Sequence, residues 1–335
     1  MKRHLLLLSV LALAVAGCGG QRDSGGSTVA ADPATVNCAI ERDTRIGIAT
    51  GNTTGVYFPL GGAYAEAINT STGGRLRANA AETGASVQNI QQLVAGDYQV
   101  AFALADSAAD AVRGMAAFDG EPQPIAALGR IYSNYTQVVV RTDAGIDSVA
   151  DMRGKRISTG SPRSGTEVIA NRLLVAAGLD PDSDLAAQRL DLTRSVDGMK
   201  DGSIDGLFFS GGLPTPGVLD LFTTAGEDVK LLDITELLPE MRDVTPVYEP
   251  GTIPAATYSL AADVPTIVVP NVLLVRDDLD AGTACVLTKV LFERKDALVA
   301  ANPAAEGIEL ARAEETGPIP LHPGARKAIE ELGGS

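Results

Sequence analysis

Apolar and polar positions along the chain follow a repeating order of β-rich run, polar glycine-bearing loop and helix-period segment. Arg45 to Thr50 reads as a first strand, followed by the loop Gly51-Asn52-Thr53-Thr54-Gly55. A helix starts near Val56 and continues through Leu60, Ala63, Ala67 and Ile68, with Pro59 tolerated in its first turn. Leu76 to Ala80 predicts a second strand. It runs through Glu82-Thr83-Gly84-Ala85-Ser86 into a helix with Val87, Ile90, Leu93 and Val94 at helical spacing. Tyr98 to Leu104 is a run of the buried-strand kind.

The second half uses the same device. Gln137 to Arg141 is β-rich, Val149 to Arg153 reads as a short helix, and Lys155 to Thr159 as a strand. The loop Gly160 to Thr166 leads into a helix from Glu167 to Ala177, with Gly178 where a C-cap belongs. Ile204 to Phe209 is another strand, ending in Ser210 to Pro216. Thr266 to Val275 is β-rich and Thr283 to Ala300 helical. This alternation predicts an α/β fold with mostly parallel sheets.

In open α/β sheets ligands sit beyond the carboxyl ends of strands, at loops feeding helix N-termini. Three such loops here are short and rich in Gly, Ser and Thr. Unpaired N–H groups and the partial positive charge at a helix start favour carboxylates or phosphates. The loops therefore predict a site that holds an anionic group without many Lys or Arg. Read one at a time, they are more simply ordinary N-caps and turns; taken together, the two readings stand level.

The first residues carry a different signal. Met1 to His4 is a basic head and Leu5 to Ala16 an apolar run, closing in Val15-Ala16-Gly17-Cys18. This is the pattern of a secretory signal, residues 1–17, and it is short of the roughly 20 apolar residues a membrane span needs. Residues 18–37 are Gly/Ser-rich and read as a flexible tether with a reach on the order of 20–25 Å. The body that follows, near 300 residues long, is large for one core and predicts two lobes. The formal net charge is −15, and loss of Lys2 and Arg3 with the signal takes it near −17. That excludes nucleic acid and an anionic membrane surface as natural partners.

Catalytic and metal chemistry find little support. The chain has two His, His4 in the signal and His322, so nucleophile–His catalysis or a His-containing metal cluster rests on His322 alone. Gly-x-Ser-x-Gly, His-Glu-x-x-His, Cys-x-x-Cys, a P-loop and a dinucleotide fingerprint are all missing. We therefore expect no enzyme activity and no metal site, although Asp/Glu pairs as catalytic groups stay open at the level of sequence.

Against this background the loops resemble a known family. Thr50 to Gly62 (Thr-Gly-Asn-Thr-Thr-Gly-Val-Tyr-Phe-Pro-Leu-Gly-Gly) looks like the opening signature of the TAXI family, the solute receptors of one branch of TRAP transporters. Glu82 to Asn89 resembles its Thr-Gly-Gly-Ser-Val-x-Asn loop, and Asp147 to Arg156 its Ser-Leu-x-Asp-Leu-x-Gly-Lys-Arg stretch. Ser164-Gly165-Thr166, Asp201 to Asp205, Pro254 with Tyr258, and Leu321 to Ala325 follow in the family's order. The closing Val-Ala-Gly-Cys likewise resembles a lipobox, which implies lipidation at Cys18 and a periplasmic protein anchored to a membrane through it. With Cys18 so used, Cys38 and Cys285 remain as an even pair in an oxidising compartment. They are expected to form a disulfide, the alternative being two buried thiols.

The resemblance implies a two-lobe periplasmic-binding-protein fold of the type II-like kind, with a hinge and a ligand cleft. Residues 38–138 with 262–335 would form lobe 1 and residues 139–261 lobe 2. It also implies no cofactor, delivery to a TRAP membrane subunit with fused small and large parts, and a structural role for His322. Thr50, Gly51, Thr54 and Tyr57 are expected to line the cleft from lobe 1, and Ser86 and Val87 to add donors at a helix start. Ser164, Gly165 and Thr166 would face them, with Pro214 at the rim. Tyr132 would lie near the cleft or pack the hinge. Asp106 would meet a ligand ammonium or cap the helix from Ser107 onward. Departures at Asn52, Glu82, Leu104, Ala105 and Arg163 bear on the ligand; Arg163 would clamp a carboxylate or face solvent. The expected ligand is a small carboxylate, either a glutamate-like amino acid or an organic acid. A receptor for an ABC importer and a sensor subunit for a membrane histidine kinase are the rival readings.

Overall fold

A computed structural model describes residues 35–334. The signal segment, Cys18 and most of the tether lie outside the described residues.

The chain runs β1 (Thr44–Ala49), α1 (Tyr57–Ser71), β2 (Leu76–Ala81), α2 (Ser86–Ala95), β3 (Val100–Leu104) and α3 (Ala105–Arg113). The long β4 (Ile125–Arg141) leads to β5 (Arg156–Ser158), α4 (Gly165–Ala176), β6 (Ala186–Gln188), α5 (Leu192–Asp201), β7 (Gly206–Gly211) and α6 (Pro216–Ala225). Then come β8 (Val229–Leu231), α7 (Leu238–Val244), β9 (Glu249–Ile253), α8 (Ala255–Tyr258) and a second long strand, β10 (Val264–Arg276). The chain closes with α9 (Ala281–Glu293), α10 (Lys295–Ala301) and α11 (Pro323–Glu331).

All ten strands join one sheet in the order β2-β1-β3-β10-β4-β7-β5-β6, with β8 beside β4 and β9 beside β10. The outer strands on each side pair in parallel, β2 and β3 with β1, and β6 and β7 with β5. The two long strands pair antiparallel with each other and with β3 and β7. This is a two-lobe periplasmic-binding-protein-like α/β fold, each parallel group forming one half and β4 and β10 passing between them. The sheet is thus mixed, which corrects the mostly parallel expectation. Strand–loop–helix alternation reports only the parallel groups; the strands that leave one half for the other must reverse against their neighbours. The boundary expected at residues 138/139 falls inside β4, and that at 261/262 just before β10.

Side-chain alternation explains why the central strands read as unbroken apolar runs. Leu273 and Val275 of β10 face a core with Ile46, Ile48, Leu60, Tyr64 and Leu287, whereas Val272 and Leu274 face another with Ile90, Leu93, Ala101 and Ala103. On β4, Val138 and Val140 join Ile157, Ile169 and Leu173, while Val139 packs with Leu192, Leu207 and Leu221. Both faces are covered by helices, so both residues of each pair are apolar.

Cys38 and Cys285 are bridged, with Cα atoms 5.2 Å apart. The bridge ties the chain start to α9. Among the described residues no helix is long and apolar enough to cross a membrane.

Candidate functional site

A cavity of about 40 Å3 lies where the loops after β1 and β5 meet the middle of β4 and the end of β7. The halves touch across it. Asn52 Nδ2 donates to Ser161 Oγ at 3.4 Å and its Oδ1 accepts from the Leu192 amide at 3.3 Å. Thr54 and Thr193 hydroxyls meet at 3.1 Å, and the Gly217 amide donates to the Thr54 carbonyl at 3.0 Å. The Gln88 amide of α2 donates to the Arg163 carbonyl at 3.0 Å.

Four helix starts contribute wall residues: Val56 and Tyr57 at α1, Ala85 at α2, Ser164 and Thr166 at α4, and Leu192 and Ser195 at α5. Each start carries backbone N–H groups without intrahelical partners and the positive end of a helix dipole. Ser164 caps α4 by accepting from the Glu167 amide at 3.0 Å. Close approach sets the residue types here. A Cβ on Gly165 would lie 2.5 Å from Leu104 Cδ1 and 2.6 Å from Ser86 Oγ, both in the other half, so only glycine lets α4 come this near.

The floor is a buried chain of hydrogen bonds along the strands between the halves. Tyr57 OH donates to Asn271 Oδ1, which also accepts from Asn134 Nδ2 at 3.2 Å; Ser210 Oγ donates to Asn134 Oδ1. The Ser210 amide donates to Thr166 Oγ1 at 3.2 Å, carrying the chain from α1 to α4. Val56, Leu190, Leu192, Phe208 and Phe209 give the cavity an apolar side. Burial pushes the hydroxyls of Tyr57 and Tyr132 well above the usual phenol range, so both stay protonated donors.

Of the expected cleft residues, Gly51, Tyr57, Tyr132, Ser164 and Thr166 line this cavity. The others stand behind or beside it. Thr50 is buried and gives both amide and hydroxyl to the Ala81 carbonyl. Ser86 Oγ accepts from the Leu104 amide at 3.1 Å, and Val87 packs into the core below α2. Thr54 bonds Thr193 of α5 and Gly217 of α6, Gly165 serves the close approach, and Pro214 lines a separate groove with Tyr135, Pro254 and Pro303. Arg163 turns its guanidinium to Gln91 at 3.4 Å while its amide donates to Glu167. Asp106 is fully buried and bonded to Ser107, Arg172 and Tyr248.

Several wall and floor residues have no counterpart among those expectations: Asn134, Ser161, Ser195, Phe208, Ser210 and Asn271. Two carried a readable signal. Asn271 is a lone amide inside the apolar run Val268 to Val275, and Asn134 sits in Ser133-Asn134-Tyr135-Thr136-Gln137 between apolar stretches. A buried amide must find partners, so such residues mark a built polar network.

His322 caps α11, its Nδ1 accepting from the Gly324 amide at 3.1 Å and its Nε2 meeting the Leu279 carbonyl at 3.1 Å. Among the described residues Cys38, Cys285 and Glu331 come close enough to share a metal ion. Both sulfurs are bonded to each other, so that group offers a metal one carboxylate.

A family model described as NMT1-like matches residues 48–333. The chain belongs to the NMT1-like family. The match takes in both halves of the sheet and every residue of the cavity wall. Among solved structures, this NMT1-like chain is similar to a binding protein component of an ABC phosphonate transporter from Pseudomonas aeruginosa. The two are 13% identical over 80% of this chain and 80% of that one, with a TM-score of 0.52. It is also similar to a protein of Bordetella bronchiseptica RB50, 19% identical over 86% of this chain and 80% of that one, TM-score 0.51. At these identities the likeness is one of fold.

Proposed function

We propose that the chain is an exported solute receptor that closes its two halves on a small anion and hands it to a membrane transporter. The observation that carries this reading is the convergence of four helix starts and a ring of neutral donors on one cavity between the halves. Helix starts supply positive potential without a cationic side chain, as needed to hold an anion and release it again. The fold neighbour from Pseudomonas aeruginosa is a transporter's binding component, in keeping with this role.

The finer reading is a TAXI-type receptor for a small carboxylate, delivering to a TRAP membrane subunit and held in the periplasm by lipid on Cys18. Its support is the order of the loop motifs from Thr50 to Ala325 and the Val-Ala-Gly-Cys ending of the leader. Co-purification of the detergent-solubilised full chain with a fused TRAP membrane subunit tests the partner. Capture by an ABC permease or a histidine kinase instead would overturn it. Labelled fatty acid should enter the wild-type chain and be lost in Cys18→Ser.

A thermal-shift screen of small anions tests the receptor role itself. A ligand at 100 times its Kd adds about 2.7 kcal/mol, a rise of about 4 °C for a chain of this size. Turnover of the compound, or no shift from any anion, would count against a receptor.

A further inference from the structure

Where the halves meet, three helix starts are bonded by an oxygen of the opposite half. The Gln88 amide near the start of α2 donates to the Arg163 carbonyl at 3.0 Å. The Leu192 amide at the start of α5 donates to Asn52 Oδ1 at 3.3 Å, and the Gly217 amide of α6 to the Thr54 carbonyl at 3.0 Å. Each precedes the first intrahelical donor, which is Asn89 in α2, Ser195 in α5 and Leu219 in α6. They are donors of the kind an anion takes.

The surroundings reinforce the pattern. Asn52 Nδ2 also donates to Ser161 Oγ at 3.4 Å, and the Thr54 and Thr193 hydroxyls meet at 3.1 Å. Ala85, just ahead of α2, has φ +74° and ψ −153°, a region nearly reserved for glycine, and Arg163 has φ +61°. Backbone strain on both sides of one contact persists only where the surroundings impose it. Arg163 is fixed through its amide, which donates to Glu167 Oε2 at 2.7 Å, while its carbonyl accepts from α2. A Cβ on Gly84 would lie 3.1 Å from the Pro162 carbonyl, so the two loops meet backbone to backbone. The space left between the halves, about 40 Å3, equals about three water molecules at the ~10–15 Å3 each requires.

We infer that the halves act as each other's ligand: oxygens of Asn52, Thr54 and Arg163 hold the chain shut on helix-start donors that a solute must win back. Asn52 supplies the one side-chain oxygen of the three, which makes it the residue that sets how readily the site opens. As competition with a solute, this rests on the receptor reading; as closure, it stands apart from it.

Residue-resolved amide hydrogen exchange of the mature chain, with no solute added, tests it. Gln88, Leu192 and Gly217 should be protected in the wild type. Asn52→Ala with Thr54→Val removes the side-chain contacts to Ser161, Leu192 and Thr193 and keeps the backbone partners of Gln88 and Gly217. Those two amides should then exchange about 10-fold faster, the weight of a few neutral hydrogen bonds. Leu273 and Leu274 in β10 should keep their protection, which shows the fold intact. Ser161→Ala, which removes one contact from the other side, should act in the same direction by about 2-fold. Fast exchange at all three amides in the wild type would overturn the inference, as would unchanged exchange at Gln88 and Gly217 in the double variant. Calorimetry with L-glutamate, acetate and inorganic phosphate reads the competition, and the double variant should bind up to about 10-fold more tightly than wild type. Weaker binding by the variant would make Asn52 a solute contact and overturn the competition. Protection as expected, with no binding by either protein, would count against the receptor reading and leave the closure standing.

Discussion

Arg172 on α4 reaches Asp106 on α3 at 3.2 Å, and with its other terminal nitrogen reaches Asp110 at 2.6 Å. The two helices follow strands on opposite sides of the β10–β4 pair, so this ion pair spans the junction of the halves. Tyr248 closes the group, donating to Asp106 at 2.6 Å and accepting from Arg172 at 3.1 Å. Arg172→Met should leave Asp106 buried without its cation, a loss of about 3–5 kcal/mol for a broken buried pair. The expected outcome is a lower melting temperature and a larger radius of gyration by small-angle scattering. An unchanged radius would show that the pair does not hold the halves together.

Gly165 offers a cleaner handle on closure, because its neighbours Leu104 and Ser86 belong to the other half. Gly165→Val puts atoms into a gap that exists only when the halves are shut. Overpacking of about 1–3 kcal/mol translates into a ligand affinity lower by about 5–150-fold. The ligand-free melting temperature should fall much less, since opening relieves the clash. Titration and unfolding of the same variant separate these effects.

His322 makes stability depend on pH. Burial lowers its pKa below the ordinary imidazole value, and Nδ1 must stay unprotonated to accept from Gly324. The unfolded chain therefore takes up this proton first as pH falls. The stability that depends on the neutral ring is complete above the ordinary value of about 6.5 and is lost as pH drops below it. Denaturant unfolding between pH 7.5 and about 5 should show this loss, and His322→Asn, which keeps an acceptor, should flatten it. A variant with an undiminished slope would place the titrating group elsewhere.

The Cys38–Cys285 bridge closes a loop of sequence separation 247 and fastens the strand-entry segment to α9. Cross-links over loops this long remove chain entropy worth about 5 kcal/mol from the unfolded state. Cys38→Ser with Cys285→Ser should lower the denaturant midpoint accordingly and leave ligand affinity near the wild-type value, since neither residue approaches the cavity.

Much of this architecture is legible in the chain. The first strand, the loops after it and the helices with Ile90 or Leu173 on their buried faces follow from period and punctuation alone. The central strands were harder to read for a physical reason. β4 begins at Ile125, yet only Gln137 to Arg141 reads as strand, because Gly129, Arg130, Ser133 and the floor residue Asn134 interrupt the apolar run. A residue that builds the site, Asn134, thus helps to conceal the strand that carries it. The helix-start loops marked the place of the cavity, but hydroxyls that serve the backbone, as on Thr50 and Ser86, have the same sequence signature as those facing a ligand. Only their hydrogen-bond partners distinguish them. The apolar side from Phe208 and Phe209 escaped notice because alternating strand residues do not announce which face meets a void.

Thr166 reaches both the floor and the cavity, so calorimetric titration of wild type and Thr166→Ala with the anion giving the largest thermal shift reads the site directly. One ligand should bind per wild-type chain, and the variant should bind at least about 10-fold more weakly, the loss of one hydrogen bond to a charged group. Wild-type affinity in Thr166→Ala, or more than one ligand bound per chain, would contradict a single anion site between the halves.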